Sequence, residues 1–117
     1  MPGKIFTVQS ATKTLPLVKK IVEEILQHAK AIRNSDGGEE TVKLEEEIKS
    51  LLLELDQLGC SFKDWNFEVG LVDFPAVING QDVLLCWRSD EKNIRWYHGN
   101  DEGFSGRKLI PENILEQ

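Results

Sequence analysis

The chain reads as an α+β fold: a long antiparallel helical hairpin packed on a small antiparallel β-sheet of three to four strands. Three observations predict it. Two apolar series with alternating spacings of three and four residues fill the first half, a turn with paired glycines, Asn34-Ser35-Asp36-Gly37-Gly38, separates them, and two β-prone runs flank Asn79-Gly80 in the second half. At 117 residues the length fits a single domain over 1–117, with the helical hairpin at 10–59 and the sheet with its C-terminal loop at 60–117.

Ile5 to Val8 alternates and is β-prone, so a short extended entry is expected there. Ser10 and Thr14 are the candidate N-caps of the first helix, and Pro16 suits a first turn, where its missing amide hydrogen costs nothing. The apolar seam Leu15, Val18, Val22, Ile25, Ala29, Ile32 is that of an a/d coiled coil, with Lys19, Glu23, Lys30 and Arg33 off it. A second helix starts near Glu39, its early acids placed at the positive end of the helix dipole, carries the seam Leu44, Ile48, Leu51, Leu55, Leu58, and stops at Gly59. A short link between two seams of similar length predicts that they face each other. Leu17, Ile21, Leu26, Leu52 and Leu53 fall outside that mutual seam and need the sheet or a second subunit to cover them.

Cys60 to Val69 carries three aromatics and is expected to cross over the core, with Trp65 as a hydrophobic cover. Asn79-Gly80 supplies the two positive φ angles of a type I′ turn, so Leu71–Ile78 and Gln81–Arg88 form a hairpin of set register. Val72 then faces Trp87, Asp73 faces Cys86, Phe74 faces Leu85, Ala76 faces Val83 and Ile78 faces Gln81. Val72, Phe74, Ala76, Val83, Leu85 and Trp87 share one apolar face, the natural floor for the helices; Asp73, Asp82, Cys86 and Arg88 share the other. Pro75 marks an edge or a bulge. Ile94 to His98 makes a third strand after the polar turn Ser89 to Asn93, followed by a glycine-rich loop to Arg107 and a short terminal turn of helix from Pro111.

The balance of 14 Lys+Arg against 20 Asp+Glu gives a net charge of -6, which disfavours nucleic acid as a partner. Bases and aromatics do mix between Trp87 and Lys108, but that segment carries a net charge of only +1, which leaves a nucleic-acid regulator as the weakest option. No apolar run is long enough for a membrane and the start lacks a secretory core, so the expected location is cytoplasmic, with Cys60 and Cys86 as buried thiols and no zinc-finger spacing.

Asp73-Phe74-Pro75-Ala76, Cys86-Trp87, Glu91, Ile94, His98, Asp101, Gly103-Phe104 and Gly106-Arg107, together with Leu15-Pro16 and the GLVDFPA run, resemble the pattern of an uncharacterised bacterial family, domain-of-unknown-function family 2203. The resemblance spans nearly the whole chain. The family pattern has a Gly-Glu turn where this chain has Asp90-Glu91, and Trp-His where it has Tyr97-His98. It brings no assigned activity, so its positions are candidates without roles.

His98 leads the candidates, because an imidazole changes charge near neutral pH and serves as acid, base or ligand. Its face depends on the Ser89–Asn93 turn: pairing Arg88 with Ile94 puts His98 beside Leu84 on the Asp73 face, and a one-residue slip puts it on the apolar face. On the first register, His98, Asp73 and Asp101 form a candidate catalytic or divalent-ion cluster, with Arg107 as anion binder and Trp87, Trp96 or Phe104 as roof. Each also has a structural duty open to it: the acids in turns, Arg107 in an ion pair, His98 as a satisfied buried partner. No cofactor is legible, and beyond that candidate cluster no residue is assigned as a metal ligand. The reading favoured by the sequence is a non-enzymatic cytosolic interaction module, dimeric through its helical hairpin; the alternative is a small hydrolase-like or metal-binding enzyme using Asp73, His98 and Asp101.

Overall fold

The computed structural model describes residues 4–116. Helices α1 (Val8–Arg33) and α2 (Glu39–Leu58) form the hairpin, followed by strands β1 (Ser61–Phe62), β2 (Leu71–Ile78), β3 (Gln81–Arg88), β4 (Trp96–Gly99) and β5 (Lys108–Leu109), and a final turn α3 (Glu112–Leu115). The sheet is antiparallel with strands in chain order. Five strands rather than three to four arise because two-residue edge strands, β1 and β5, are too short to leave a periodic signal.

Helix α1 begins earlier than its sequence implies. Thr7 is the N-cap, and Thr7 and Ser10 each accept the other's backbone N–H through their hydroxyls, at 3.0 and 2.9 Å. Ser10 is thus the third helical residue instead of the cap, and Pro16 lies inside the helix. Of the β-prone entry only Phe6 pairs, as a parallel bridge to Ala76, its N–H donating to the Pro75 carbonyl at 2.7 Å. That bond also places Pro75: its backbone points away from β3 toward the open edge beyond two-residue β1, so the missing donor breaks no β2–β3 bond. No bulge interrupts the register.

The two seams meet as expected. Leu15, Val18, Val22, Ile25 and Ala29 are buried in one cluster with Ile48, Leu51 and Leu55, while Leu44 is buried outside it, and burying each large aliphatic contributes roughly 1.5–3 kcal/mol. Ile32 and Leu58, at the seam ends, are half-buried. Gly59 takes φ 96° as the left-handed cap of α2.

The hairpin register is the predicted one throughout, from Ile78 opposite Gln81 to Leu71 opposite Arg88. Its apolar face joins the helix seams in one core with Phe6, Phe62, Ile94 and Ile110. Gly70 makes this close approach feasible: an added Cβ would collide with the Val22 side chain and sit 3.0 Å from Ser89 Cβ. The surplus helix residues divide. Ile21 is buried, Leu26 and Leu52 pack partly on the core, and Leu17 and Leu53 stay about half exposed, at 48% and 55%.

Trp65 is not the cover of the connector. It is 65% exposed, touching Phe62 and Phe67 edge-on, and the stacked pair Phe62–Phe67 at 5.4 Å does the covering. Asp64 holds the connector by accepting the N–H groups of Asn66, Glu68 and Val69.

Candidate functional site

Strand β3 pairs with β4 so that Cys86 faces Trp96 and Leu84 faces His98. This register puts His98 on the outer face of the sheet with Asp73. Asp73 on β2, Cys86 on β3 and His98 on β4 then converge, one residue from each of three adjacent strands, with their donor atoms all within 4.8 Å of one another. All three are buried; Asp73 and His98 are the buried polar side chains among the described residues.

Both nitrogens of His98 are engaged. Nδ1 lies 2.9 Å from the Gly99 carbonyl, which can only accept, so Nδ1 carries a proton. Nε2 lies 3.2 Å from Asp73 Oδ1, and one shared proton completes that contact, whether it resides on the imidazole or on the carboxyl. Burial pushes the Asp73 carboxyl above its ordinary range, against the opposing pull of His98, Lys63 and the Cys86 thiol. Burial, with the nearby Asp73 charge, pushes the Cys86 thiol up to about 11. Cys86 is therefore no free nucleophile at neutral pH.

A cavity of about 320 Å³ opens over this cluster, walled by Lys63, Leu71, Leu84, Asn100, Glu102 and Phe104. Its far wall is the segment from Asn100 to Arg107, strapped across the sheet by two sets of contacts. Glu102 Oε1 accepts the Gly99 N–H at 2.9 Å, and the Glu102 N–H returns to the Gly99 carbonyl. Arg107 meets both carboxylate oxygens of Glu91, at 3.0 and 2.6 Å, with its guanidinium 4.6 Å from the Trp96 ring and 4.2 Å from Phe104. Glu91 is itself fixed, its Oε1 accepting the Arg88 N–H and its carbonyl accepting Trp87 Nε1–H, each at 2.8 Å.

Three sequence candidates change place. Asp101 is exposed in the strap, and the carboxylate that turns to the cavity is Glu102, its neighbour. Trp87 cannot roof the cavity, because its position on the apolar face buries its ring in the helix-facing core. Arg107 is held by Glu91 and two rings rather than presented to an anion. Asp73, His98 and Phe104 remain at the cavity. Cys86 joins them, as the Asp73–Cys86 register already implied. Glu91 stands out in the sequence only through the family pattern, since its partner lies across a loop.

Neither a curated protein nor a solved structure matches the chain. The model of the family described as "Uncharacterized conserved protein (DUF2203)" matches residues 4–110, and by that match over nearly all its length the chain belongs to this family.

Proposed function

We infer that the protein is a small enzyme or ligand-binding domain whose working surface is the outer face of the sheet, where a small polar molecule lies over Asp73 and His98. One observation carries this reading: a buried acid–imidazole hydrogen bond, 3.2 Å between His98 Nε2 and Asp73 Oδ1, lies under a cavity large enough for a small ligand. With Nδ1 locked to Gly99 and Nε2 to Asp73, the pair's one proton is lent to the ligand, and taken back from it, through the Asp73 carboxyl, which His98 holds in place by their hydrogen bond. Acid–base chemistry of the hydrolase kind is the reaction class that such a pair serves. Lys63 and Glu102 on the cavity wall supply charges of both signs to orient the ligand.

Self-association through the helices is supported by less surface than the sequence offers, since Ile21, Leu26 and Leu52 pack on the chain's own core and leave Leu17 and Leu53.

The test is an NMR screen with a library of small amines, alcohols and carboxylic acids. Binders are expected to shift the amides of Leu84, Gly99, Gly103 and Phe104 together, and to lose that effect in Leu84→Trp, which fills the cavity. A library that never moves this set of amides contradicts the reading.

A further inference from the structure

We propose that Asp73, Cys86 and His98 bind a single transition-metal ion of the zinc type, with the cavity supplying its open coordination position. This rests on the reading that the cavity is the working surface, and names what is held at its floor: the ion takes the place of the proton that Asp73 and His98 otherwise share.

The donor set selects the class of ion. A thiolate, an imidazole and one carboxylate suit zinc, cobalt or ferrous iron, whereas magnesium and calcium require oxygen ligands throughout. The spacing fits. Tetrahedral bonds of about 2.0–2.1 Å place nitrogen and oxygen ligands roughly 3.3 Å apart, and His98 Nε2 and Asp73 Oδ1 are 3.2 Å apart. The sulfur lies within the same 4.8 Å group, reachable by a small side-chain movement.

The surroundings of the ligands match as well. A metal-binding histidine usually donates its second ring N–H to a carbonyl or carboxylate, which fixes the other nitrogen as the ligand. Here Nδ1–H is fixed on the Gly99 carbonyl, and that carbonyl is held in turn by the Glu102 N–H. Arg107 Nη1, 4.0 Å from Cys86 Sγ, supplies a donor to the sulfur. Charge balance favours a divalent ion. A thiolate and a carboxylate neutralise a dication, so the loaded site carries no net charge, which suits ligands that are themselves buried. Three protein ligands with a free fourth position facing a cavity is the arrangement of a catalytic rather than a structural zinc.

Protein purified without chelator and then dialysed is titrated with cobalt(II) alone and with zinc(II) alone. Expected are one equivalent bound, a thiolate-to-cobalt charge-transfer band, and zinc displacing cobalt. Cys86→Ala should abolish the band, and both Cys86→Ala and His98→Gln should weaken binding by about 100-fold or more, beyond the loss seen for outer-shell partners. His28→Ala, which removes the partly exposed His28–Glu47 pair on the helices, should change neither. Circular dichroism checks folding, and Asp73→Asn replaces any variant that fails to fold. A wild-type protein without the cobalt–thiolate band, or binding that survives Cys86→Ala and disappears in His28→Ala, overturns the metal site. Small molecules that still shift the cavity amides in that case leave the pocket reading standing alone.

Discussion

Arg107 grips Glu91 through both carboxylate oxygens, at 3.0 and 2.6 Å, across the glycine-rich strap. The pair is largely shielded from water, with side-chain exposures of 13% and 20%, and two aromatic rings flank the guanidinium. Arg107→Ala should therefore cost about 2–3 kcal/mol in urea unfolding, in the range for hydrogen bonds to charged groups. Arg107→Lys should recover little of it, because an ammonium offers neither the fork nor the flat face. Full recovery by lysine would reduce the contact to simple charge attraction.

Asp73 and His98 need one proton between them. In metal-free protein Asp73→Asn keeps a donor for Nε2 and should cost under about 1 kcal/mol, whereas Asp73→Ala leaves a buried nitrogen unsatisfied and should cost about 1–3 kcal/mol. The pH dependence has a set sign. The folded protein holds the Asp73 proton more tightly than the unfolded chain, whose ordinary value is 3.8. The stability this contributes is fully present below that value and lost as pH rises through the raised folded one. Denaturation across acid and neutral pH should show that slope in wild type and not in Asp73→Asn.

Both thiols are buried, and burial pushes Cys60 and Cys86 each to about 11. A thiol-specific reagent at neutral pH should label neither in the native state and both after denaturation. Rapid native labelling of Cys86 would show that the strap opens.

Gly70 lies where α1 passes the base of the hairpin. Gly70→Ala should destabilise by about 1–3 kcal/mol through overpacking against Val22, and Val22→Ala should relieve part of that in the double variant. Additive losses would argue against direct contact.

Ile21 and Leu53 separate core from surface. Ile21→Ala should cost about 2–4 kcal/mol, and Leu53→Glu should stay within about 0.5 kcal/mol. A change at Ile21 therefore reports on folding, and self-association is probed with Leu17→Glu and Leu53→Glu in sedimentation. Unchanged sedimentation of a wild-type dimer in both variants would exclude this helix surface as its interface.

Local rules account for much of the fold. The three-four seams specify a helical hairpin because each turn of helix repeats the same face, and the cap of α1 leaves no mark in that period because Thr7 and Ser10 secure each other ahead of the apolar seam. The edge strands leave none either, because two residues show no alternation. In the site, the Asn79-Gly80 loop allows only one register for its strands, so Asp73 opposite Cys86 was legible from the chain alone.

The longer turn from Ser89 to Asn93 carries no such constraint. A slip of one residue there would have turned His98 into the core, and only the packed sheet, with Leu84 opposite His98, sets it beside Asp73. Arg107–Glu91 and the turning of Glu102 rather than Asp101 to the cavity also belong to the tertiary structure, because both depend on where a loop crosses the sheet and not on any period in its residues. The helical hairpin, the β2–β3 hairpin and the pairing of the acid with the thiol follow from local periodicity and one tight turn; the imidazole and the strap that meet them follow from packing, since those contacts join residues whose spacing along the chain encodes no shared geometry.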